Sequence, residues 1–148
     1  MEKEINSTKK FQYIEGMIII NEKEIVLNYL QNTLLSSNYN IGFIDLEKDN
    51  KIQSYKTGNL IKYCLINEDL FIYAEENKLY PIHLKNHSKK KEFVLPNESR
   101  IESIISLNEK KFLAVQKDYC NQFEVESENK IKISNIIQMR IKKLLKYP

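Results

Sequence analysis

Tryptophan is absent from this chain, and glycine and proline number only three each. Gly16, Gly42 and Gly58 are too scattered to form a phosphate-cradling loop and read as strand or turn residues. Arginine is scarcer still, with Arg100 and Arg140 set against 21 lysines. Bidentate recognition of phosphates and base edges favours arginine. A net charge of +3 from 23 basic and 20 acidic residues therefore does not point to nucleic acid, which is not expected as a partner. Cys64 and Cys120 are the only cysteines and lack the paired spacing of a zinc site. The apolar run Met17–Ile20 is far too short to cross a bilayer. No secretory hydrophobic region opens MEKEINSTKKF, so the expectation is a cytoplasmic protein with reduced thiols.

What is present is enough to fold. At 148 residues, 42% hydrophobic and 29% charged, the chain has the size and composition of one ordinary domain with a real core. Lysine, isoleucine and asparagine are abundant, so asparagine carries less turn information than usual.

The strongest pattern is internal. Three times an apolar run meets Asn-Glu and a second apolar run follows: MIII-NE-KEIVL, YCLI-NE-DLFIYA and IISL-NE-KKFLAV. The pairs begin at Asn21, Asn67 and Asn108, in steps of 46 and 41 residues. Apolar residues also agree at fixed offsets, as Ile25, Phe71 and Phe112 and then Val26, Ile72 and Leu113. Each unit offers four short β-branched or aromatic runs bounded by polar turns. They are FQYIEGMIII, KEIVLNYL, NIGFIDLE and KIQSYKTG; NLIKYCLI, DLFIYAEE, KLYPIHLK and KKEFVLPN; RIESIISL, KKFLAVQK, CNQFEVES and KIKISNII. Pro81 suits an outer or bulged strand, because it cannot donate to a ladder. The first two runs of each unit are near-continuously apolar, as in strands buried on both faces. The later runs carry more Lys, Gln and Glu and should lie outward. A period of about 40 to 45 residues with four strands is what one propeller blade consumes. The competing reading is a non-repeating sandwich or barrel in which the similarity is accidental.

These units resemble the blades of a WD-repeat-type β-propeller over residues 11 to about 137. In that family a turn holding Asp or Asn precedes an Ile-x-Ile-like strand. The matching pieces are Asn38 to Asp45, Asn77 to Leu84 and Asp118 to Val125. No Trp-Asp ends a third strand; Ile44-Asp45, His83-Leu84 and Val125-Glu126 stand there instead. The Gly-His that often opens a blade is also missing, so the family's hydrogen-bonded tetrad is not carried over. The resemblance implies an all-β fold of about three four-stranded antiparallel blades, a partial propeller. The expected units are 11–58, 59–98 and 99–137 within a single domain 1–148, followed by a basic tail 138–148. A propeller closes with about four to eight blades. Three leave open faces, satisfied by a longer parent protein, by a second copy, or by the C-terminal segment.

That segment, SNIIQMRIKKLLKYP, places Ile137, Ile141, Leu144 and Leu145 at helical spacing, with Arg140, Lys142, Lys143 and Lys146 on other faces. It reads as a short basic amphipathic helix, docked on the last blade or lying on a partner or membrane surface. Strand continuation is the remaining reading.

Chemistry is thin. His83 and His87, four apart on a strand running into a turn, would stand about 13 Å apart, too far to share one ion. No serine or cysteine occupies a nucleophile-elbow setting. Asp45, Glu47, Asp49, Asp69, Glu75, Glu76 and Asp118 read as turn and surface carboxylates, with no pair at a glycosidase spacing. The run Lys89-Lys90-Lys91 reads as a solvated connection that guards a sheet edge. It is also, with the C-terminal cations, the candidate contact for a partner or an anionic surface. Tyr39, Tyr63, Tyr73, Tyr80 and Tyr119 near strand ends suit protein contacts or half-buried β positions. The expectation is a non-catalytic protein-interaction or scaffold module with no cofactor and no metal. Protein partners are expected, with a homo-oligomer or a larger propeller as assembly options. The alternative is a peripheral binder of anionic surfaces, membrane or nucleic acid, through the basic C-terminal helix. A propeller hydrolase is the weakest reading.

Overall fold

The computed structural model describes residues 13–32, 34–48, 50–58, 61–127 and 130–139. The chain divides into two compact units, Met1–Leu60 and Ile61–Pro148. All regular structure among the described residues is strand.

The first unit holds one antiparallel sheet in sequence order, β1 (Tyr13–Asn21), β2 (Glu24–Asn32), β3 (Ser37–Asp45) and β4 (Asn50–Thr57). Its core runs along β2, where Ile25, Leu27 and Tyr29 point to one side and Ile44 joins them from β3. Leu27 pairs with Gly42 across the ladder. The ring of Tyr29 occupies the space a side chain at Gly42 would need, since a Cβ there would sit 3.0 Å from Tyr29 Cε1. Gly42 is thus a strand glycine at a close approach, where an added side chain would press on the Tyr29 ring.

The second unit holds two sheets. One contains β5 (Lys62–Asn67), β6 (Leu70–Glu75) and β7 (Lys78–His83), with an outer edge split between β8 (Ser88–Lys89) and β9 (Phe93–Val94). The other runs β10 (Ile101–Asn108), β11 (Lys111–Gln116), β12 (Tyr119–Ser127) and β13 (Lys130–Gln138), again in sequence order. Strict alternation in β11 turns Phe112, Ala114 and Gln116 inward. With Phe123, Phe112 and Ala114 pack with Ile72, Ala74 and Leu79 of the neighbouring sheet in one core cluster. Phe112 and Phe123 stack with centroids 5.0 Å apart, and Phe93 meets Phe123 edge-on at 5.1 Å. Each buried ring contributes about 1.5–3 kcal/mol through area removed from water.

The repeat is structural. In all three sheets the Asn-Glu pair closes the first hairpin, and the asparagine Oδ1 accepts the backbone N–H two residues on. Lys23 donates to Asn21, Asp69 to Asn67 and Lys110 to Asn108, each at 2.8 Å. The carbonyls of Lys23, Asp69 and Lys110 then accept a backbone bond from the third strand's exit, from Leu46, Leu84 and Val125. One Asx turn with one tie to the third strand thus recurs in each sheet.

Three expectations are corrected. The fourth strand of the second repeat is not a continuous KKEFVLPN strand. It is two two-residue pieces on either side of a gap, and Pro81 lies opposite that gap. Ile82 and His83 pair with β8, Lys78 and Leu79 pair with β9, and the Pro81 carbonyl accepts from Lys90 N–H at 2.8 Å. Proline has no N–H to return, so a regular ladder fails there. Pro81 itself stands in the third strand.

The first strands are also not buried on both faces. On β1, Met17 is 57% and Ile19 65% exposed; on β10, Ile105 is 45% and Leu107 50% exposed. Each is the terminal strand of its sheet's ladder, and the deepest burial falls on the second strand, as in β6, where Leu70 to Ala74 are all buried. Finally, Ser134–Gln138 belong to β13 and do not start a helix. The ladder from Cys120 and Asn121 to Ile137 and Ile136 holds them extended. Arg140, Lys142, Lys143 and Lys146 lie outside the described residues.

Candidate partner-binding surface

The Lys89-Lys90-Lys91 run is divided by the strand break. Lys89 closes β8, and its Nζ lies 4.5 Å from the ring centroid of Tyr80 and 5.4 Å from that of Tyr73. Those rings stack at 4.8 Å and form an aromatic platform under the ammonium. Lys90 and Lys91 follow in the gap and line a groove of about 370 Å³ in the second unit. Lys130, at the start of β13, stands on the same groove, with Glu92 as a counter-charge. Pro81, Phe93, Val125 and Ile131 supply its apolar lining.

Lys130 is partly committed elsewhere. Its ammonium lies 3.2 Å from Glu126, which Lys132 also approaches at 2.6 Å. The hydrogen bond from Lys132, then that from Lys130, holds the Glu126 carboxyl below the usual carboxylate range, and Glu126 in turn raises the Lys132 ammonium. Among the described residues Lys90 and Lys91 make no ion pair. With Glu92, they are the groove charges outside these ion pairs.

A second cavity, of about 250 Å³, opens beside the first and shares Leu70, Val125 and Ser127 with it. It lies at the Asn-Glu turns and is lined by Asp69, His83, Glu109 and Glu126 among others. The Asn67 amide crosses between the sheets and donates to the Glu109 carbonyl at 2.7 Å. His83 is buried in β7, whereas His87 stands in the following turn at φ 54°. Among the described residues no group of three or more His, Cys, Asp and Glu side chains is placed to hold a metal ion. Asp45 caps a turn, accepting from the Glu47 and Lys48 N–H groups. Cys64 and Cys120 are free, half-buried thiols, and burial pushes both above their ordinary pKa. Tyr73 is buried, while Tyr39, Tyr63, Tyr80 and Tyr119 are half-buried.

Sequence reasoning missed a buried polar network. Gln116 Nε2 donates to the carbonyls of Asn97 and Ser99, and Asn121 Nδ2 donates to the Ala114 carbonyl and to Gln116 Oε1. The network pins the link from β9 to β10. Asn77, in the β6–β7 turn, holds the same link through the Leu95 carbonyl at 3.2 Å. The available signal was phase: Gln116 follows Phe112 and Ala114 on the inward side of β11, and Asn121 precedes Phe123 on that of β12.

No protein-family model and no curated protein matches the sequence. Solved structures do match in shape. The β-propeller domain of Myceliophteria thermophila Cps50 (Swd1) superposes with a TM-score of 0.60 at 8% identity, covering 88% of this chain and 46% of that one. The WD40 β-propeller domain of Doa1 gives 0.53 at 13% identity, covering 87% and 38%. Pyrococcus horikoshii acylaminoacyl peptidase gives 0.63 at 12%, covering 95% and 27%. The chain spans less than half the length of each of these structures. At such identities the likeness is one of fold. The fold is β-propeller-like, all-β and built of antiparallel sheets whose strands follow one another in sequence order.

Proposed function

We propose that this chain is a non-catalytic interaction module that holds protein partners on its exposed sheet surfaces. The observation that carries the reading is apolar surface left bare on strands, at Met17 and Ile19 of β1 and at Ile105 and Leu107 of β10. Leu34 and Leu35, between β2 and β3, add an exposed pair. Apolar side chains left exposed two apart on one strand face, as at Met17 and Ile19 and again at Ile105 and Leu107, suit association with another surface. The fold agrees, because propeller sheets present strand ends and loops on a stiff frame, although one fold hosts many activities. The occupant is a protein surface, whether a different chain, a second copy or the rest of a larger propeller.

The test is replacement of Ile105 and Leu107 by serine. Mass in solution and reciprocal capture of the partner found with the wild-type chain are compared before and after. Loss of the complex with unchanged thermal unfolding is expected. A wild-type chain that stays monomeric and captures nothing reproducible would remove the reading.

A further inference from the structure

We infer that the groove between the split edge β8–β9 and the β12–β13 hairpin receives an acidic, apolar-centred peptide segment of a protein partner. This rests on the interaction-module reading and names the chemistry of one of its sites. The argument is charge complementarity on a shaped floor.

Lys90, Lys91 and Lys130 stand against Glu92 on the groove, and Lys90 and Lys91 make no ion pair among the described residues. Lys89 is held over Tyr73 and Tyr80 and does not line the groove, so the sequence's lysine run is not one undifferentiated patch. Between the charges lie Pro81, Phe93, Val125 and Ile131. The floor is preset: Phe93 is fixed edge-on against Phe123, and Val125 and Ile131 pack on the core cluster. A preorganised floor reduces the ordering cost of binding. At about 370 Å³ the groove takes one or two apolar side chains, with flanking carboxylates reaching the lysines.

A membrane fits less well. Lipid headgroups meet a broad basic face, whereas here the apolar residues lie within a groove beside the lysines. Nucleic acid fits less well too. The cations are lysines without an arginine fork, and Arg100 is not on the groove and faces Glu76 at 3.9 Å.

The probe is a short dye-labelled peptide with a Leu-Phe centre flanked on both sides by Asp-Glu, followed by fluorescence anisotropy. Saturable binding is expected, weakening several-fold as salt rises from about 0.05 M to about 0.3 M. The double reversal Lys90→Glu with Lys91→Glu should weaken it about tenfold or more. Val94→Glu, at an exposed position lining the same groove, should weaken it independently. A peptide with Lys-Arg in place of Asp-Glu should not bind. Unchanged affinity in both variants would overturn the proposal. So would vesicles of phosphatidylserine and phosphatidylcholine that bind the wild type but not the Lys90→Glu, Lys91→Glu variant, while the peptide does not bind. If the peptide fails while the partner lost on replacing Ile105 and Leu107 is still captured by the wild type, the groove assignment falls and the interaction-module reading stands.

Discussion

The Asn121 amide donates to Gln116 Oε1 at 2.9 Å, and the two side chains are 1% and 0% exposed. Both protons of each amide are used, since Gln116 also reaches the Asn97 and Ser99 carbonyls and Asn121 the Ala114 carbonyl. A satisfied buried network of this kind is costly to break at one member. Asn121→Ala strips the partner from Gln116 Oε1 and should cost about 1–3 kcal/mol in urea unfolding. Replacing both residues together should cost less than the sum of the single changes.

The three turn asparagines separate by their second bonds. Asn21, Asn67 and Asn108 accept the same backbone bond, but Asn67 alone also donates to the Glu109 carbonyl, at 2.7 Å. Asn108→Ala should cost about 0.5–1.5 kcal/mol. Asn67→Ala should cost roughly twice that, because it frees the neighbouring sheet's turn as well. Equal unfolding midpoints for the two variants would contradict the asymmetry.

Phe123 touches Phe112 face to face and Phe93 edge to face. Phe123→Ala should destabilise the second unit by about 3–5 kcal/mol, read from thermal or urea unfolding. Phe123→Leu should recover part of the loss by filling more of the volume.

Alkaline pH should weaken the fold. Burial raises the Cys64 and Cys120 thiols above their ordinary 9.0 and the Tyr29 and Tyr80 hydroxyls above 10.0. Below the unfolded values both states keep these protons, and the groups add no pH dependence. Above them the unfolded chain releases protons that the folded chain retains, so stability falls as pH rises toward the folded values. The urea midpoint should be flat near neutrality and decline above about pH 9. Replacing both cysteines by alanine should delay the onset. Alkylation of the native thiols at neutral pH should be slower than in the unfolded chain.

Much of the frame was legible because its signals are local. The offset of apolar residues from Asn21, Asn67 and Asn108 marked three hairpins, and the hairpins are there in register. Strand boundaries fell where alternation met turn residues, as in β12, where Phe123 is buried and Gln122 and Glu124 are not. What failed depended on neighbours distant in sequence. Continuous apolar runs such as Met17–Ile20 suit a strand covered on both faces and equally one ending a sheet, and only tertiary packing separates the two. Ile137 fits helical spacing and strand alternation alike, and the ladder to β12 decided between them. The groove was half legible. Lys90 and Lys91 were visible as charge, but the pull of the Tyr73–Tyr80 platform on Lys89 and the arrival of Lys130 and Ile131 needed the fold.

The gap opposite Pro81 also affects how copies of this protein could stick together. A smooth outer edge invites another chain to add itself strand by strand and begin a fibril. In this sheet the outermost backbone comes as two two-residue stubs separated by a proline-faced break, so an incoming chain finds too little ladder to copy. The eight-residue β4 and the nine-residue β13 close the other two sheets without being split into such stubs, so an added chain finds more ladder to copy there.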